Sequence, residues 1–83
     1  MNYSLSIHAT TTIRERKIAP EWIAATLSDP ARTEPDLDDA TLTHALRAIP
    51  EYGDRVLRAI DNHEKMPLHI VTVFFDRAMK GKL

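Results

Sequence analysis

His8 and Arg16 are residues of types that can handle a phosphate group, and both lie in segment 6–18, SIHATTTIRERKI. Histidine exchanges protons near neutral pH because its unperturbed pKa is about 6.5, and the planar arginine fork matches phosphate oxygens. With about 1.5 Å of rise per residue, a straight helix separates the two by roughly 12 Å. They can therefore flank a nucleotide but cannot hold the same oxygen. The alternative is a capped surface helix in which His8 bonds a strand carbonyl and Arg16 pairs with an acidic neighbour.

A second set of chemically capable residues surrounds Arg58 and Asp76 in the last third of the chain. Arg58 interrupts an apolar segment, so its guanidinium must reach a carboxylate, an anion or the sheet rim, because unpaired burial is costly. Asp76 shares a strand face with Thr72 under two-residue alternation. Two interpretations stay open: an Arg58–Asp76 ion pair, or an Arg58 that contacts phosphate while Asp76 orients His8 or His44.

The ionisable residues do not form a recognisable metal site. The four histidines show no His-Glu-x-x-His or similar spacing, and the acidic segment 34–39 lacks the glycine and terminal glutamate of a calcium loop. The chain has no cysteine, which excludes disulfides, thiolate metal sites and a cysteine nucleophile. We therefore expect no metal and no cofactor. We interpret segment 34–39 as a solvated loop that would repel RNA or attract a basic partner.

Composition and charge narrow the class of protein. The 83 residues predict a single domain, 1–83, with 43% hydrophobic and 28% charged residues, as in ordinary globular proteins. The formal net charge of −1 lacks the basic excess of most nucleic-acid-binding proteins, so any anion site must be local. No run of about 18 apolar residues is present, and the N-terminal residues show no signal-peptide pattern. We expect a cytoplasmic protein without a membrane segment.

The first third of the chain predicts two helices. Ser6 is a good N-cap for a helix over 7–17, although three consecutive threonines lower its helix propensity. Pro20 suits the first turn of a second helix, which ends at Asp29-Pro30. We expect Trp22 to pack this second helix onto a sheet rather than to stack on a nucleic-acid base.

The rest of the chain carries strand and turn signals. Residues 41–49 match the i, i+3, i+4, i+7 template of a helix and, more weakly, the alternation of a strand, so both stay open. A turn at 50–54 precedes a strand over 54–61. Segment 68–76 has the highest strand propensity and is apolar on both faces, so it should lie centrally in a sheet; a basic tail, 77–83, follows. The pattern predicts an α+β domain with two N-terminal helices packed on a four-stranded antiparallel sheet.

Several short motifs, in order along nearly the whole chain, resemble a family of bacterial proteins, domain of unknown function 4258. These motifs are His8-Ala9, Arg16 with Ile18, Asp29-Pro30, Leu57-Arg58, Val71-Thr72-Val73 and Asp76-Arg77. Members often carry a basic residue where this chain has Thr12, and a glycine where it has Lys17. The family is in turn similar to small RelE-like and BrnT-like ribonuclease toxins. The resemblance therefore implies two helices on an antiparallel sheet, and it favours a strand over a helix for 41–49 without deciding between them.

The resemblance also implies a function, that of a metal-independent endoribonuclease. Such an enzyme needs a base, an acid and a cation for the phosphorane charge. The implied catalytic residues are His8, as acid or base, Arg16 and Arg58, and the implied substrate contacts are Arg77, Thr72 and His44. RNA and a cognate antitoxin would be its partners. The second hypothesis is a non-catalytic module that binds another protein; the net charge, Thr12 and the acidic segment favour it, and the oligomeric state stays open.

Overall fold

Five strands form one sheet, and both helices pack on the same face of it. The structure is a computed structural model that describes residues 2–83. The helices are α1 (Ile7–Arg16) and α2 (Pro20–Ser28), and the strands are β1 (Tyr3–Leu5), β2 (Arg32–Pro35), β3 (Leu42–Ile49), β4 (Arg55–Asn62) and β5 (Leu68–Phe75). Short 3₁₀ turns, Pro50–Tyr52 and Arg77–Met79, follow β3 and β5. The α+β class expected from the sequence is confirmed. Neither α1 nor α2, the α-helices of the described chain, is long and apolar enough to cross a membrane.

The strand order across the sheet is β1-β5-β4-β3-β2. β1 runs parallel to β5, with Tyr3 opposite Leu68, whereas the other neighbours are antiparallel. The expected four-stranded antiparallel sheet is therefore wrong in strand number and in one orientation. β1 has only three residues and pairs with a segment near the other end of the chain, so residues 3–5 carry no local strand signal. β5 lies in the interior of the sheet, as expected, although the middle position belongs to β4.

Residues 41–49, which fit both a helix and a strand, contain strand β3. Every residue of β3 has a partner in β4, and β2 pairs along its other side. This pairing on both sides outweighs the helical spacing of the apolar residues. The expectation that 34–39 is a loop is wrong for its first two residues, because Glu34 and Pro35 belong to the edge strand β2.

Ser6 begins α1 as expected and also ties the helix to the sheet. Its hydroxyl oxygen accepts a hydrogen bond from the Ala9 N–H at 2.9 Å, and the same hydroxyl donates to the Val71 carbonyl of β5 at 2.6 Å. The helix ends at Arg16, because Lys17 has left-handed backbone angles with φ of 54°. The bond to Val71 holds the start of α1 against β5. The position of Arg16, at the other end of the helix, is thereby fixed relative to that strand.

The hydrophobic core lies between the helices and the sheet. Its buried residues are Ala9, Ile18, Ile23, Ile49, Leu57, Ala59, Ile70 and Val73. Trp22 in α2 packs against this core, which confirms its expected packing role. Leu57 and Ala59 of β4 point into the core, so alternation sends the side chain of Arg58, between them, to the other side of the sheet. We call that side, on which Leu46 and Phe74 are opposite neighbours of Arg58, the open face.

Candidate functional site

A cleft beside the end of β5 brings four cationic side chains together. Its volume is about 690 Å³. We call it the basic cleft, and its lining residues are Arg16, Tyr52, Arg55, Phe74, Phe75, Asp76, Arg77 and Lys80. Four cations surround one carboxylate there, so the cleft is locally positive although the formal net charge of the chain is −1. Among the described residues, this cleft therefore meets the expectation that any anion site would have to be local.

The sheet topology explains why these cations meet. β4 begins beside the end of β5 because the two strands are antiparallel, and this places Arg55 next to the turn that carries Arg77. Lys80 follows that turn. Arg16 is the last residue of α1, which packs along β5. Three segments that are distant in sequence therefore bring their cations to the same end of the sheet.

Aromatic rings line one side of the cleft. Tyr52 stacks on Trp22 with 5.4 Å between ring centroids, and Phe75 lies 5.0 Å from Tyr52 and 6.0 Å from Trp22. The Arg55 guanidinium lies over the Tyr52 ring, 4.4 Å from its centroid, and this cation–π contact orients the guanidinium. Phe74 is 38% exposed. Its ring is therefore accessible to a planar ligand that enters the cleft.

Asp76 joins the basic cleft to a second group of charged residues. Its Oδ1 accepts a hydrogen bond from the Ala78 N–H at 3.0 Å, which caps the 3₁₀ turn Arg77–Met79. Its Oδ2 accepts a hydrogen bond from Arg58 Nε at 2.9 Å and also lies 2.9 Å from Arg58 Nη2. The Arg58–Asp76 ion pair, one of the two interpretations open from the sequence, is therefore present.

Arg58 has two further partners on the open face. Its Nη1 donates to Glu34 Oε1 at 2.9 Å and to His44 Nδ1 at 2.7 Å. On the other side of the ring, His44 Nε2 lies 2.7 Å from Asp36 Oδ1. We call these five residues, Arg58, Asp76, Glu34, His44 and Asp36, the Arg58 network.

The contact with Arg58 determines which nitrogen of His44 carries a proton. A guanidinium only donates, so Nδ1 must be the acceptor and is unprotonated. Nε2 then carries the hydrogen and donates it to Asp36. The His44 ring is held between a guanidinium and a carboxylate, and both of its nitrogens have partners.

Hydrogen bonds between its members keep the charged side chains of the Arg58 network ionised. Burial opposes the charge of Arg58, whose side chain is 12% exposed, but hydrogen bonds to Glu34 and Asp76 outweigh burial and raise its pKa. The hydrogen bond from Arg58 lowers the pKa of Glu34, and the hydrogen bond from His44 lowers the pKa of Asp36. Two carboxylates thus balance Arg58 before any ligand arrives.

The sequence-predicted site residues fall into two groups. Arg16 and Arg77 line the basic cleft. Arg58 and His44 contact each other at the centre of the Arg58 network. Thr72 lies in β5 opposite Ile60 of β4, on the open face. Asp76 is the residue that the two groups share.

His8 lies apart from both groups. It is the second residue of α1 and is exposed, whereas Arg16 is the last residue of that helix. His8 lines neither the basic cleft nor a second hollow, which is lined by Asp36 and Arg58 among others. The structure therefore does not bring His8, Arg16 and Arg58 to one surface, and a catalytic role for His8 stays a prediction without geometric support.

Sequence reasoning missed Tyr52, Arg55 and Lys80. Arg55 directly follows the expected turn at 50–54, and Lys80 lies in the basic tail, so both positions carried a weak signal. Their convergence with Arg16 depends on strand pairing, which no local pattern reveals.

A second hollow, of about 530 Å³, is acidic. It is lined by Glu34, Pro35, Asp36, Leu37, Asp38, His44 and Arg58. Beside it, a hydrogen bond from Thr41 lowers the pKa of Asp39. No group of three or more His, Asp or Glu side chains within residues 2–83 is arranged to hold a metal ion.

Similarity to known proteins is found at the level of one family. No curated protein and no solved structure matches this chain. The sequence model of a family described as domain of unknown function (DUF4258) matches residues 5–75. The match includes both helices, β2 to β5 and four of the five members of the Arg58 network, and it confirms the family resemblance found in the sequence motifs. Because it spans most of the chain, this protein belongs to the DUF4258 family.

Proposed function

We propose that this domain binds single-stranded RNA in the basic cleft and cleaves its backbone without a metal ion. The observation that carries the proposal is the meeting of Arg16, Arg55, Arg77 and Lys80 with aromatic rings in one cleft. Such grooves suit single strands, because cations follow the phosphates while the rings stack on unpaired bases. The more distant resemblance of the family to RelE-like ribonuclease toxins, an expectation from the sequence, points to the same class of activity.

Phe74 and Arg55 supply the two parts of the binding. Tyr52 and Phe74 are about equally exposed, at 39% and 38%. Because Tyr52 already contacts Trp22, Phe75 and the Arg55 guanidinium, we take Phe74 as the ring on which a base stacks. Stacking on one aromatic ring contributes about 1–3 kcal/mol per base in single-strand complexes. Arg55, oriented by Tyr52, points a fixed guanidinium at a phosphate. A paired base cannot stack on Phe74 in this way, which favours a single strand over a duplex.

The cleavage step uses the ribose itself as the nucleophile. The 2′-oxygen attacks phosphorus and the bond to the 5′-oxygen breaks. Water takes the 2′-hydroxyl proton, and water gives a proton to the leaving 5′-oxygen. The phosphorane formed on the way carries additional negative charge, which neighbouring guanidinium and ammonium groups stabilise. The products are a 2′,3′-cyclic phosphate and a 5′-hydroxyl. The cations of the cleft thus supply charge stabilisation for the step.

The direct test uses a fluorescent 12-nucleotide RNA strand with EDTA present throughout. Binding is measured by anisotropy, and cleavage by gel with identification of the product ends. We expect binding, slow cleavage to cyclic phosphate ends, and binding without cleavage for the same strand with 2′-deoxyribose. Arg55→Gln and Arg77→Gln should each weaken binding, whereas Arg32→Gln, which removes an exposed arginine outside the cleft, should not.

The possible outcomes separate the two halves of the proposal. Binding of the RNA strand without any cleavage contradicts the nuclease and leaves a non-catalytic binding module. Failure to bind, or equal weakening by Arg32→Gln and Arg55→Gln, contradicts the cleft as the RNA site. His8→Ala tests the sequence prediction separately: loss of cleavage would restore the acid–base role of His8, whereas the cleft geometry predicts unchanged cleavage.

A further inference from the structure

A continuous series of hydrogen bonds runs from the edge of the sheet to the basic cleft. It starts at Glu34 in β2 and His44 in β3, passes through Arg58 in β4, and reaches Asp76 after β5. Asp76 then accepts the N–H of Ala78 in the turn Arg77–Met79. Two of the four cations of the cleft, Arg77 and Lys80, lie in this turn or directly after it.

We propose that Arg58 is a positioning residue of the basic cleft, which acts through Asp76 on the turn that carries Arg77 and Lys80. This inference rests on the proposed function, because it assigns Arg58 an indirect part in holding RNA. Asp76 is the intermediate: one carboxylate oxygen is bound by Arg58 and the other caps the turn. Arg58 itself contacts no substrate.

The contacts of Arg58 disfavour a direct grip on phosphate, because most of its five N–H groups already face protein acceptors. Nε and Nη2 face one oxygen of Asp76, and Nη1 donates to both Glu34 and His44. All three nitrogens are therefore engaged. A phosphate that approached Arg58 would also approach two carboxylates, and the repulsion would offset the attraction of a single guanidinium.

The turn needs such an anchor because its own bonds are few. Within it, the Met79 N–H donates to the Asp76 carbonyl at 3.2 Å and the Lys80 N–H to the Arg77 carbonyl at 3.4 Å. The shorter contacts are those of Asp76, whose N–H donates to the Val56 carbonyl at 2.8 Å and whose carboxylate caps Ala78 at 3.0 Å. A single 3₁₀ turn with long internal bonds depends on its cap for a fixed direction.

Asp76→Ala gives a test in which the two explanations differ in sign. If Asp76 is only a negative charge in a cleft for RNA, its removal strengthens binding of the 12-nucleotide strand. If Asp76 positions the turn, its removal weakens binding, and we expect about fifteenfold weaker binding at 0.15 M salt, the equivalent of two phosphate contacts. Asp29→Ala is the matched control, because Asp29 also pairs with an arginine of the sheet, Arg47, at 3.0 Å, outside the cleft.

Arg58→Gln tests the other end of the series through the salt dependence of binding. For single strands, each phosphate contact contributes about 0.7 to the slope of log K against log salt. Loss of the turn removes two contacts, so the slope should decrease by about 1.4. A direct phosphate contact of Arg58 would change it by about 0.7, and a merely structural role would not change it. Combining Arg58→Gln with Arg77→Gln and Lys80→Gln should weaken binding no further than the latter two.

Amide hydrogen exchange tests the positioning without RNA. In Asp76→Ala and Arg58→Gln, the Ala78 and Lys80 amides should exchange faster, with the amides of β4 and β5 unchanged. Stronger RNA binding by Asp76→Ala, or unchanged exchange at Ala78 and Lys80, overturns the proposal. If the wild-type protein does not bind RNA but the two amides respond, the positioning stands and the proposed function fails. If Arg58→Gln does not fold, Asp76→Ala, in which Arg58 keeps Glu34 and His44, decides the question.

Discussion

At the residue scale, two of the three charged side chains of β4, Arg58 and Asp61, have different environments. Arg58 is balanced by Glu34 and Asp76. Asp61 follows a bulge in the pairing with β5 and is only 5% exposed. Burial raises the pKa of Asp61, and the nearby His63 counteracts this only in part. The ionised form of Asp61 therefore destabilises the folded protein at neutral pH.

We expect Asp61→Asn to increase the free energy of unfolding at pH 7 by about 1 kcal/mol, a typical size for one substitution. The sign follows from the raised pKa. Between the ordinary Asp value of 3.8 and the higher folded value, the folded protein binds more protons than the unfolded chain, so stability falls as pH rises. Urea unfolding at pH 7 and pH 3 measures the effect, which should vanish at the lower pH. Glu64→Gln, at an exposed position, is the control; an equal gain there, or a gain from Asp61→Asn at both pH values, contradicts the explanation.

At the element scale, the sequence predicts those elements whose signals are local. Ser6 and Pro20 mark the starts of both helices, and the apolar, β-branched segment 68–76 contains β5. Residues 41–49 could not be decided, because leucines and alanines there satisfy both periodicities and only pairing with β2 and β4 selects the strand. β1 and β2 were missed since three or four residues at a sheet edge form a strand only through their partners. Pairing over long distances, rather than propensity, therefore sets these elements.

Ser6 is the residue on which the placement of α1 depends, because its hydroxyl both caps the helix and binds β5. We expect Ser6→Ala to lower the free energy of unfolding by about 1–2 kcal/mol, the usual cost of a lost N-cap. The control is Ser28→Ala, which removes a hydroxyl that donates to Ala24 on the exposed side of α2 and should have almost no effect. Thermal or urea unfolding compares the two. Equal losses for both variants would show that the cap of Ser6 does not anchor α1.

At the scale of the whole molecule, the net charge conceals a separation of charges. The basic cleft lies where β5 ends, and the acidic segment that includes Asp38 lies where β3 begins, at the opposite end of the sheet by the strand registers. The sequence predicted that any anion site would be local, and two of its candidate residues, Arg16 and Arg77, line the cleft. It could not locate the site, since Arg55 and Lys80 join them only through the antiparallel pairing of β4 with β5. The Arg58–Asp76 pair was one of two interpretations open from the sequence, because an arginine inside an apolar segment needs a carboxylate or another anion, but its link to the turn at 77–79 was not predicted.

From this separation of charges we predict that the affinity for RNA depends on the charge of the basic cleft and not on the net charge of the protein. Lys80→Gln and Asp38→Asn change the net charge by one unit in opposite directions. At 0.15 M salt the screening length is about 8 Å, and Asp38 is exposed and outside the lining of the cleft, so solvent should screen its charge from the cleft. We expect Lys80→Gln to weaken binding of the 12-nucleotide strand roughly fourfold, as one lost phosphate contact, and Asp38→Asn to leave it unchanged. Anisotropy titrations of both variants at 0.15 M salt measure this. Equal and opposite changes in affinity would mean that RNA binding depends on the net charge of the protein, which would contradict the basic cleft as the binding site.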